Sequence, residues 1–250
     1  MIVLVTGATA GFGAAIARRF VREGHRVIAA GRRADRLAAL RAELGAASVL
    51  ALPLDVRDRA AVASTIAALP PDWADVDVLV NNAGLALGLE PAQKADLDQW
   101  ETMIDTNNKG LVFVTRAVLP GMVARDRGHV VNMGSVAALY PYPGGNVYGA
   151  TKAFVKQFSL NLRADLFGTK VRVTDVEPGL VGGSEFSVVR FGGDTARAAS
   201  MYEGTDPLTP EDIAEAVYWV TTLPARMNVN TLELMPVCQS SGRLAIDKKG

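Results

Sequence analysis

Short runs of β-branched residues alternate with longer stretches of helical period along the whole chain, and this alternation restricts the possible folds more than any other feature. It is typical of parallel strands joined by crossover helices, because a parallel connection must carry the chain back to the end of the sheet where the strand began. The predicted strands span 2–5, 26–30, 49–52, 76–80, 129–133, 171–176 and 231–235. The predicted helices span 13–23, 34–44, 57–69, 98–123, 148–167 and 210–223.

The predicted strands are apolar on both faces, as in Val78-Leu79-Val80, so helices must cover both sides of the sheet. The sequence contains no internal repeat and no Pro/Ser-rich linker. We therefore expect an α/β fold in a single domain over residues 1–250: a Rossmann fold with a doubly wound, seven-stranded parallel sheet flanked by helices on both faces. The stretch 179–208 lacks clear periodicity and is rich in Gly, Ser and Asp, which predicts a substrate lid or a partly disordered loop.

A glycine-rich turn, Thr6-Gly7-Ala8-Thr9-Ala10-Gly11-Phe12-Gly13, follows the first predicted strand. Glycines let the backbone approach a pyrophosphate closely, and the helix that follows offers free N–H groups to the anion. The spacing departs from the general dinucleotide fingerprint, because Ile16 stands where a third glycine is expected. A tight turn without a ligand is the alternative. The candidate cofactor contacts in this turn are Gly7, Thr9, Gly11, Phe12 and Gly13.

The end of the second predicted strand indicates which dinucleotide would bind. An acidic residue about 20 residues beyond the glycines is typical of NAD sites. Here the strand ends Ala29-Ala30-Gly31-Arg32-Arg33, without a carboxylate. A guanidinium can bind the 2′-phosphate of NADP(H) through two parallel hydrogen bonds. Arg32 and Arg33 therefore favour NADP(H) over NAD(H), and two solvated arginines at a helix start are the alternative.

Tyr148 and Lys152 stand four residues apart in a predicted helix and therefore lie on one of its faces. A phenol with a pKa of about 10 is a poor base at neutral pH, and a nearby ammonium, helped by a positive nicotinamide ring, lowers that pKa. Ser135 follows an apolar strand, where a hydroxyl would point into the crevice in which open α/β sheets bind ligands. These three residues are candidate catalytic groups. A turn or cap residue at Ser135 and a surface pair at Tyr148 and Lys152 are the alternatives.

Several short motifs occur in order along the chain: Thr6-Gly7-x-x-x-Gly11-x-Gly13, Asn81-Asn82-Ala83-Gly84, Asn107-x-x-Gly110, Ser135, Tyr148-x-x-x-Lys152 and Pro178-Gly179. In order and spacing they resemble the short-chain dehydrogenase/reductase family over essentially the whole chain. The stretches 103–110, 144–152 and 177–183 look most like its NADP-dependent 3-hydroxy acid dehydrogenases, also described as serine or L-allo-threonine dehydrogenases and malonic semialdehyde reductases.

This resemblance implies a role for each motif. Tyr148 would exchange a proton with the substrate oxygen, Lys152 would lower the pKa of Tyr148 and hold the nicotinamide ribose, and Ser135 would polarise the carbonyl. Asn107 would hold a water that connects Lys152 to solvent. Val181 would donate its N–H to the nicotinamide carboxamide, and Asp55 would accept from the adenine amino group. The other implied cofactor contacts are Val56, Asn82, Ala83, Gly84, Pro178 and Gly179.

Composition narrows the function classes further. Lys+Arg 26 against Asp+Glu 26 gives a net charge of zero, which provides no field for collecting nucleic acid or an anionic membrane surface. One cysteine and two histidines cannot form an internal disulfide or a His/Cys zinc site, so we expect no metal and a reducing compartment. No apolar run reaches the ~18 residues of a membrane span, which predicts a soluble, cytoplasmic protein. The family resemblance implies a homotetramer.

The catalytic motifs leave the substrate open. We expect hydride transfer between NADP(H) and a small 3-hydroxy acid such as serine, L-allo-threonine or 3-hydroxypropionate, the last giving malonic semialdehyde. The alternatives are NADPH-dependent reduction of neutral ketones, diketones or 3-oxoacyl thioesters, and an NADP(H)-sensing regulator without turnover. A buried substrate carboxylate needs a cation. Arg190 in the predicted lid is the first candidate and Arg197 the second, with a solvated arginine or an inter-subunit pair as the alternative.

Overall fold

The computed structural model describes residues 1–241, and over this range seven strands form one parallel sheet. The strands are β1 (Ile2–Thr6), β2 (Arg26–Gly31), β3 (Val49–Pro53), β4 (Val78–Asn81), β5 (Gly128–Met133), β6 (Val171–Pro178) and β7 (Thr231–Leu234). They are ordered β3-β2-β1-β4-β5-β6-β7. The predicted doubly wound α/β fold is confirmed. Residues 242–250, which the predicted domain includes, lie outside the described residues.

The helices connect successive strands and lie on both faces of the sheet. They are α1 (Gly11–Arg22), α2 (Ala34–Leu44), α3 (Arg59–Ala67), α4 (Pro71–Ala74), α5 (Leu97–Ile104), α6 (Leu111–Ala124), α7 (Asn146–Asp165), α8 (Phe186–Arg190), α9 (Thr195–Ser200) and α10 (Pro210–Thr222). In the part of the chain that the structure describes, none of them is long and apolar enough to cross a membrane.

Two apolar layers hold these helices against the sheet. Alternate residues of β1 face opposite sides, so Val3 and Val5 pack in one layer while Ile2 and Leu4 pack in the other. The first layer contains Ile16, Phe20, Leu37, Ile213 and Val217, from α1, α2 and α10. The second contains Val62, Val114, Val118 and Leu162, from α3, α6 and α7.

The order of the strands places a crevice at the centre of the sheet. β1 pairs with β2 on one side and with β4 on the other, so the chain winds outward in both directions from the β1–β4 pair. Loops that leave the carboxyl ends of these two strands diverge to opposite faces of the sheet, and ligands of open α/β sheets bind in the space between them. The glycine-rich turn and the Asn82-Ala83-Gly84 stretch follow β1 and β4, respectively.

The predicted helix 98–123 is wrong in its middle. A π-helical turn, Asp105–Gly110, separates α5 from α6. Inside this turn the amide of Asn107 bonds to the backbone of Leu85, and a β-carbon at Gly110 would lie 2.6 Å from Cγ2 of Val56. These contacts with distant parts of the chain replace the regular helical spacing, and π turns of this kind occur frequently at functional sites.

The other differences from the predicted elements are local. Helix α3 begins at Arg59, two residues after the start of the predicted helix 57–69, because Asp58 caps it by accepting the N–H of Ala61 at 2.9 Å. The short helix α4 was not predicted, and the predicted helices starting at 13 and 148 start at Gly11 and Asn146. Strand β6 continues to Pro178, two residues beyond its predicted end.

The stretch 179–208, which we call the 179–208 segment, is not a structureless loop. It contains α8 and α9, of five and six residues, which are too short to give a visible helical period. Its two ends are joined, since Leu208 donates its N–H to the carbonyl of Leu180 and Gly182 donates to the carbonyl of Leu208. The segment therefore leaves the sheet after β6 and returns to the same place before α10.

Candidate active site

The glycine-rich turn after β1 fits a bound phosphate. Gly7 and Gly11 have positive φ, at 67° and 49°, a conformation that favours glycine. A β-carbon at Gly13 would overlap the carbonyl oxygen of Gly7. Helix α1 starts after Ala10 without a capping side chain, so its first N–H groups are left for an anion. The turn thus leaves space for a phosphate, and residues with side chains in place of the glycines would fill that space.

The stretch after β4 is fastened to this turn. The Thr6 hydroxyl accepts the N–H groups of Asn82 and Ala83 at 3.0 and 2.9 Å, and the Asn82 amide donates to the Thr6 carbonyl at 2.8 Å. Gly84 lies beside the catalytic candidates, since a β-carbon there would lie 3.2 Å from Oδ1 of Asn107 and 3.7 Å from Nζ of Lys152. These bonds fix the wall on which we expect the adenine ribose.

The arginines after β2 occupy different positions. Arg33 lies against the glycine-rich turn and donates from Nε and Nη2 to the Thr9 hydroxyl at 3.1 and 2.9 Å. Its Nη1 pairs with Glu185 at 2.9 Å, and the same carboxylate binds Arg36 at 2.7 Å. Arg32 is exposed. Glu185 and Arg36 were not predicted, because nothing in their local sequence distinguishes them from other surface charges.

The adenine-side candidates, Asp55 and Val56, follow strand β3. Asp55 pairs with Arg57 at 2.6 Å. The hydrogen bonds from Arg57 lower the pKa of Asp55, and the charge of Arg32 adds to this effect. Val56 is buried and contacts the π turn at Gly110. Asp55 is therefore ionised and remains an acceptor.

The three catalytic candidates meet where β5 ends and α7 begins. Ser135 follows β5, accepts the N–H of Ala137 at 3.2 Å and donates to the carbonyl of Pro178 at 3.4 Å. Lys152 donates from Nζ to the carbonyl of Met133 at 2.7 Å, and its Nζ lies 5.8 Å from the centre of the Tyr148 ring. All three side chains are buried. The structure thus brings together the residues that the sequence singled out.

Burial shifts the titration of Tyr148 and Lys152 in opposite directions. It raises the pKa of Tyr148 to about 12, while the neighbouring Ser135 hydroxyl and the charge of Arg190 act to lower it. Burial lowers the pKa of Lys152 to about 8, and the charge of Asp175 acts against that change. Perturbed titratable groups in a crevice are typical of catalytic sites.

Asn107 is held rigidly in the π turn. Its Oδ1 accepts the N–H of Leu85 at 2.9 Å, and its Nδ2 donates to the carbonyl of Leu85 at 2.9 Å and to the hydroxyl of Thr151 at 3.0 Å. Thr151 precedes Lys152, so Asn107 reaches the catalytic helix directly. Both amide hydrogens are already donated to protein, and a water beside Asn107 would have to donate to one of its oxygens.

Pro178, Gly179 and Val181 follow the carboxyl end of β6. Gly179 donates its N–H to the carbonyl of Leu234 at 2.7 Å, which fixes the chain as it leaves the sheet. The bridge between Val181 and Leu208 uses the N–H groups of Gly182 and Leu208 and leaves that of Val181 out. The N–H of Val181, for which the resemblance implies a contact with the nicotinamide carboxamide, is therefore not used in this bridge.

Arg190 reaches Tyr148 from the 179–208 segment. Its Nε donates to the carbonyl of Gly88 at 3.1 Å and its Nη2 to the hydroxyl of Tyr142 at 2.8 Å. Its guanidinium carbon lies 5.6 Å from the centre of the Tyr148 ring. Phe186 packs edge-on against the same ring at 5.9 Å. Arg197, the second candidate, is exposed and lies over Phe191 instead. Tyr142 was not predicted; its place just ahead of α7 was the available signal.

Comparison with known proteins agrees with this arrangement. Residues 1–189 match the family described as short chain dehydrogenase. The chain is 68% identical over 248 residues to the NADP-dependent 3-hydroxy acid dehydrogenase YdfG of Salmonella typhi, covering 99% of this chain and 100% of that protein. It is 54% identical over 238 residues to the serine 3-dehydrogenase of Agrobacterium fabrum, covering 95% and 94% of the two chains.

A solved structure extends this similarity to three dimensions. The closed form of a serine dehydrogenase complexed with NADP+ is 64% identical and superposes with a TM-score of 0.98 over 100% of both chains. A second, the serine dehydrogenase of Escherichia coli, is 61% identical with a TM-score of 0.85, over 96% of this chain and 100% of the other. The family match over most of the chain and the full-length relatives lead to one conclusion: the chain belongs to the short-chain dehydrogenase family.

Proposed function

We propose that this protein is an NADP(H)-dependent dehydrogenase that oxidises the hydroxyl group of a small 3-hydroxy acid, such as serine, L-allo-threonine or 3-hydroxypropionate. The observation that carries the substrate class is the position of Arg190, whose guanidinium lies 5.6 Å from the centre of the buried Tyr148 ring. Its Nε and Nη2 are used by protein partners. Among the described residues, Nη1 has no such partner, which leaves a cationic donor available to a substrate carboxylate.

The cofactor proposal rests on the phosphate cradle and on Arg33. The turn between β1 and α1 fits the pyrophosphate, and a guanidinium beside it fits a 2′-phosphate better than a ribose hydroxyl. The Salmonella typhi relative and the superposed complex, whose names specify NADP, support the same choice. NADP+ bound in this cradle would accept the hydride from the substrate carbon.

The remaining chemistry falls to four side chains. Tyr148 takes the proton of the substrate hydroxyl at its Oη, and the Ser135 hydroxyl turns from the Pro178 carbonyl to donate a hydrogen bond to the same substrate oxygen. The Lys152 ammonium favours the phenolate of Tyr148 by its charge. Asn107 holds the backbone beside Lys152 through Thr151 and Leu85 and leaves an oxygen for a connecting water.

We also infer that the chain is a single domain and that the 179–208 segment is its substrate lid. The strands β1 to β7 belong to one sheet, and the segment places Phe186 and Arg190 over Tyr148. The cytoplasmic location and the homotetramer stay predictions.

A matched substrate panel tests the proposal. Purified protein is incubated with NADP+ and 3-hydroxypropionate, its methyl ester, L-serine, L-allo-threonine and 1-propanol, and NADPH formation is followed by absorbance. The ester keeps the hydroxyl and removes only the charge. A charged hydrogen bond contributes about 1.5–3 kcal/mol, so kcat/KM for the acid should exceed that for the ester roughly 10- to 150-fold.

Two results would contradict the proposal. Equal turnover of acid and ester, or preferred reduction of neutral ketones or acyl thioesters with NADPH, would support the general reductase instead. NADPH binding without turnover of any substrate would support the nucleotide sensor.

A further inference from the structure

Strand β6 contains two buried carboxyl groups that the proposed mechanism does not use. The side chains of Asp175 and Glu177 lie on one face of the strand, and that of Val176 lies on the other. Asp175 is 1% exposed and Glu177 is 0% exposed. Glu177 is paired with Lys156 of α7 at 2.8 and 3.1 Å. Neither oxygen of Asp175 accepts a hydrogen bond from a donor group among residues 1–241, and its carboxyl group lies within hydrogen-bonding reach of the Glu177 carboxyl group. A buried carboxylate without hydrogen bonds is unfavourable, so its presence calls for a reason other than stability.

Asp175 lies against the backbone that leads from the end of β5 to Ser135. A β-carbon at Gly134 would overlap its Oδ1, so the carboxyl group lies against this glycine. Gly134 joins Met133, whose carbonyl accepts the Lys152 ammonium at 2.7 Å, to Ser135. The missing side chain at Gly134 is thus what allows the acid to approach this part of the site.

The charged groups around Asp175 come from α7 and from two strands. Lys152 and Lys156 are one turn apart on α7 and bring two ammonium groups toward β6. Glu177 is its neighbour on β6, and Glu233 of β7 pairs with Glu177 in register. The residues beside Asp175 itself in the sheet, Asn132 of β5 and Thr231 of β7, are uncharged.

These surroundings couple the charges of Asp175 and Lys152. Burial raises the pKa of Asp175 well above its usual range, and the charge of Glu177 raises it further, while the two lysines oppose this rise. Burial lowers the pKa of Lys152 to about 8, and Asp175 is the group that counteracts it. Each buried charge is therefore tolerated partly because of the other.

We propose that Asp175 is a positioning residue for the reaction: its carboxylate supplies the buried negative charge that keeps Lys152 protonated beside Tyr148. The proposal rests on the proposed function only in that Lys152 assists Tyr148. Asp175 itself touches neither substrate nor cofactor.

The variant Asp175→Asn removes the charge and keeps the size of the side chain. The protein has seven lysines, so [ε-¹³C]lysine labelling gives few NMR signals, and Lys152→Met identifies the signal of Lys152. An opposite charge a few ångströms away shifts a pKa by about 1–3 units. Because Asp175→Asn removes this charge, the Lys152 titration midpoint should fall by about half a unit or more in the variant. An unchanged midpoint would overturn the proposal, whatever the substrate of the enzyme proves to be.

Stability against pH separates this role from a structural one. A carboxyl group whose pKa is higher in the folded protein than in the unfolded chain destabilises the fold above its unfolded pKa. The melting temperature of Asp175→Asn should therefore match or exceed that of the wild type at pH 8–9, and any gain should disappear below about pH 4. Lower stability at every pH combined with an unchanged Lys152 midpoint would mean that Asp175 is only structural.

Glu177→Gln is the matched control, since it removes the other buried charge from the same strand. Its ion-pair partner is Lys156, and its charge raises the pKa of Asp175, so Glu177→Gln should lower stability and leave Asp175 more ionised without lowering the Lys152 midpoint. With any substrate that the enzyme turns over, the basic limb of the kcat/KM profile should shift to lower pH in Asp175→Asn. If Asp175→Asn does not fold, Asp175→Ser removes the same charge for the NMR titration. An equal or larger fall of the Lys152 midpoint in Glu177→Gln would refute the specific assignment to Asp175.

Discussion

The proposed catalytic centre, formed by Ser135, Tyr148 and Lys152, meets the 179–208 segment at Tyr148. Different interactions hold the two regions in place. Ser135, Tyr148 and Lys152 are buried, and the strand and the helix that bear them are part of the sheet and its cover. The segment is fixed by backbone bonds at its two ends and by side-chain contacts such as those of Glu185 and Arg190. The ion pairs of Glu185 are about two-fifths exposed.

This difference separates what the two regions determine. Groups that exchange protons need fixed geometry and shifted pKa values, which burial in a rigid layer provides. A region that closes over a substrate must open again, so it is held by weaker, exposed contacts. We therefore expect substitutions in the centre to abolish chemistry, and substitutions in the segment to change which substrate reacts and how tightly.

The largest effect is expected from Tyr148→Phe. The variant keeps the ring that packs against Phe186 and loses only the hydroxyl that transfers the proton. Proton transfer of this kind contributes roughly 10²–10⁴-fold, so kcat should fall by that factor while NADPH binding, measured by fluorescence, is retained. Full activity of the purified variant would show that Tyr148 is not the acid/base.

The second effect concerns the cofactor end of the crevice. Replacing both Arg32 and Arg33 with alanine should raise KM for NADPH roughly 10- to 150-fold, the range of one lost charged hydrogen bond, and leave KM for NADH nearly unchanged. Arg41→Ala, at the far end of α2, is the control and should change neither. Equal losses with both cofactors would mean that the pair is structural, through the bonds of Arg33 to Thr9.

Arg190→Ala tests the segment where it meets the centre. The variant should lower kcat/KM for 3-hydroxypropionate about 10- to 150-fold and leave the methyl ester nearly unaffected, because only the acid loses a charged partner. Arg197→Ala is a matched control on the same segment, since Arg197 is exposed and lies over Phe191. If acid and ester decline together, Arg190 organises the segment through Gly88 and Tyr142 and does not bind the substrate.

The difference between the buried centre and the 179–208 segment also explains which features could be predicted from the sequence. The strand ends were predicted within two residues, because β-branched runs buried on both faces leave a direct pattern. Tyr148 and Lys152 were found because four residues of spacing on a helix is local information. The glycine-rich turn and the arginines after β2 were likewise recognisable without knowledge of the tertiary structure.

What the sequence missed depends on contacts between distant residues. The π turn forms because Asn107 bonds to Leu85, 22 residues away, and Glu185 meets Arg33 across 152 residues. The helix α8 has only five residues, and its position over Tyr148 is set by tertiary packing. Asp175 looks like a strand residue in the sequence, and only the structure shows its buried carboxyl group against Gly134, next to Ser135.

The smallest effect is expected at the contact that joins the segment to the cofactor end. Glu185 binds Arg33 and Arg36 together, so its charge links the 179–208 segment to the residue that we expect to hold the 2′-phosphate. Exposed ion pairs contribute about 0–1 kcal/mol each, because solvent screens them. Glu185→Gln should therefore raise KM for the substrate by a factor of about five or less, with little change in melting temperature or kcat.

Salt and a second substitution show whether this small effect comes from the ion pairs. High salt should narrow the difference in substrate KM between the wild type and Glu185→Gln, because it screens an attraction that only the wild type has, while its effect on the contact between Arg190 and the substrate is common to both. Arg36 contacts only Glu185 among its charged neighbours in residues 1–241. Arg36→Ala and Glu185→Gln should therefore be less than additive in a double-mutant cycle on KM. Full additivity, or a wild type insensitive to salt, would mean that backbone bonds and Arg190 alone hold the segment closed.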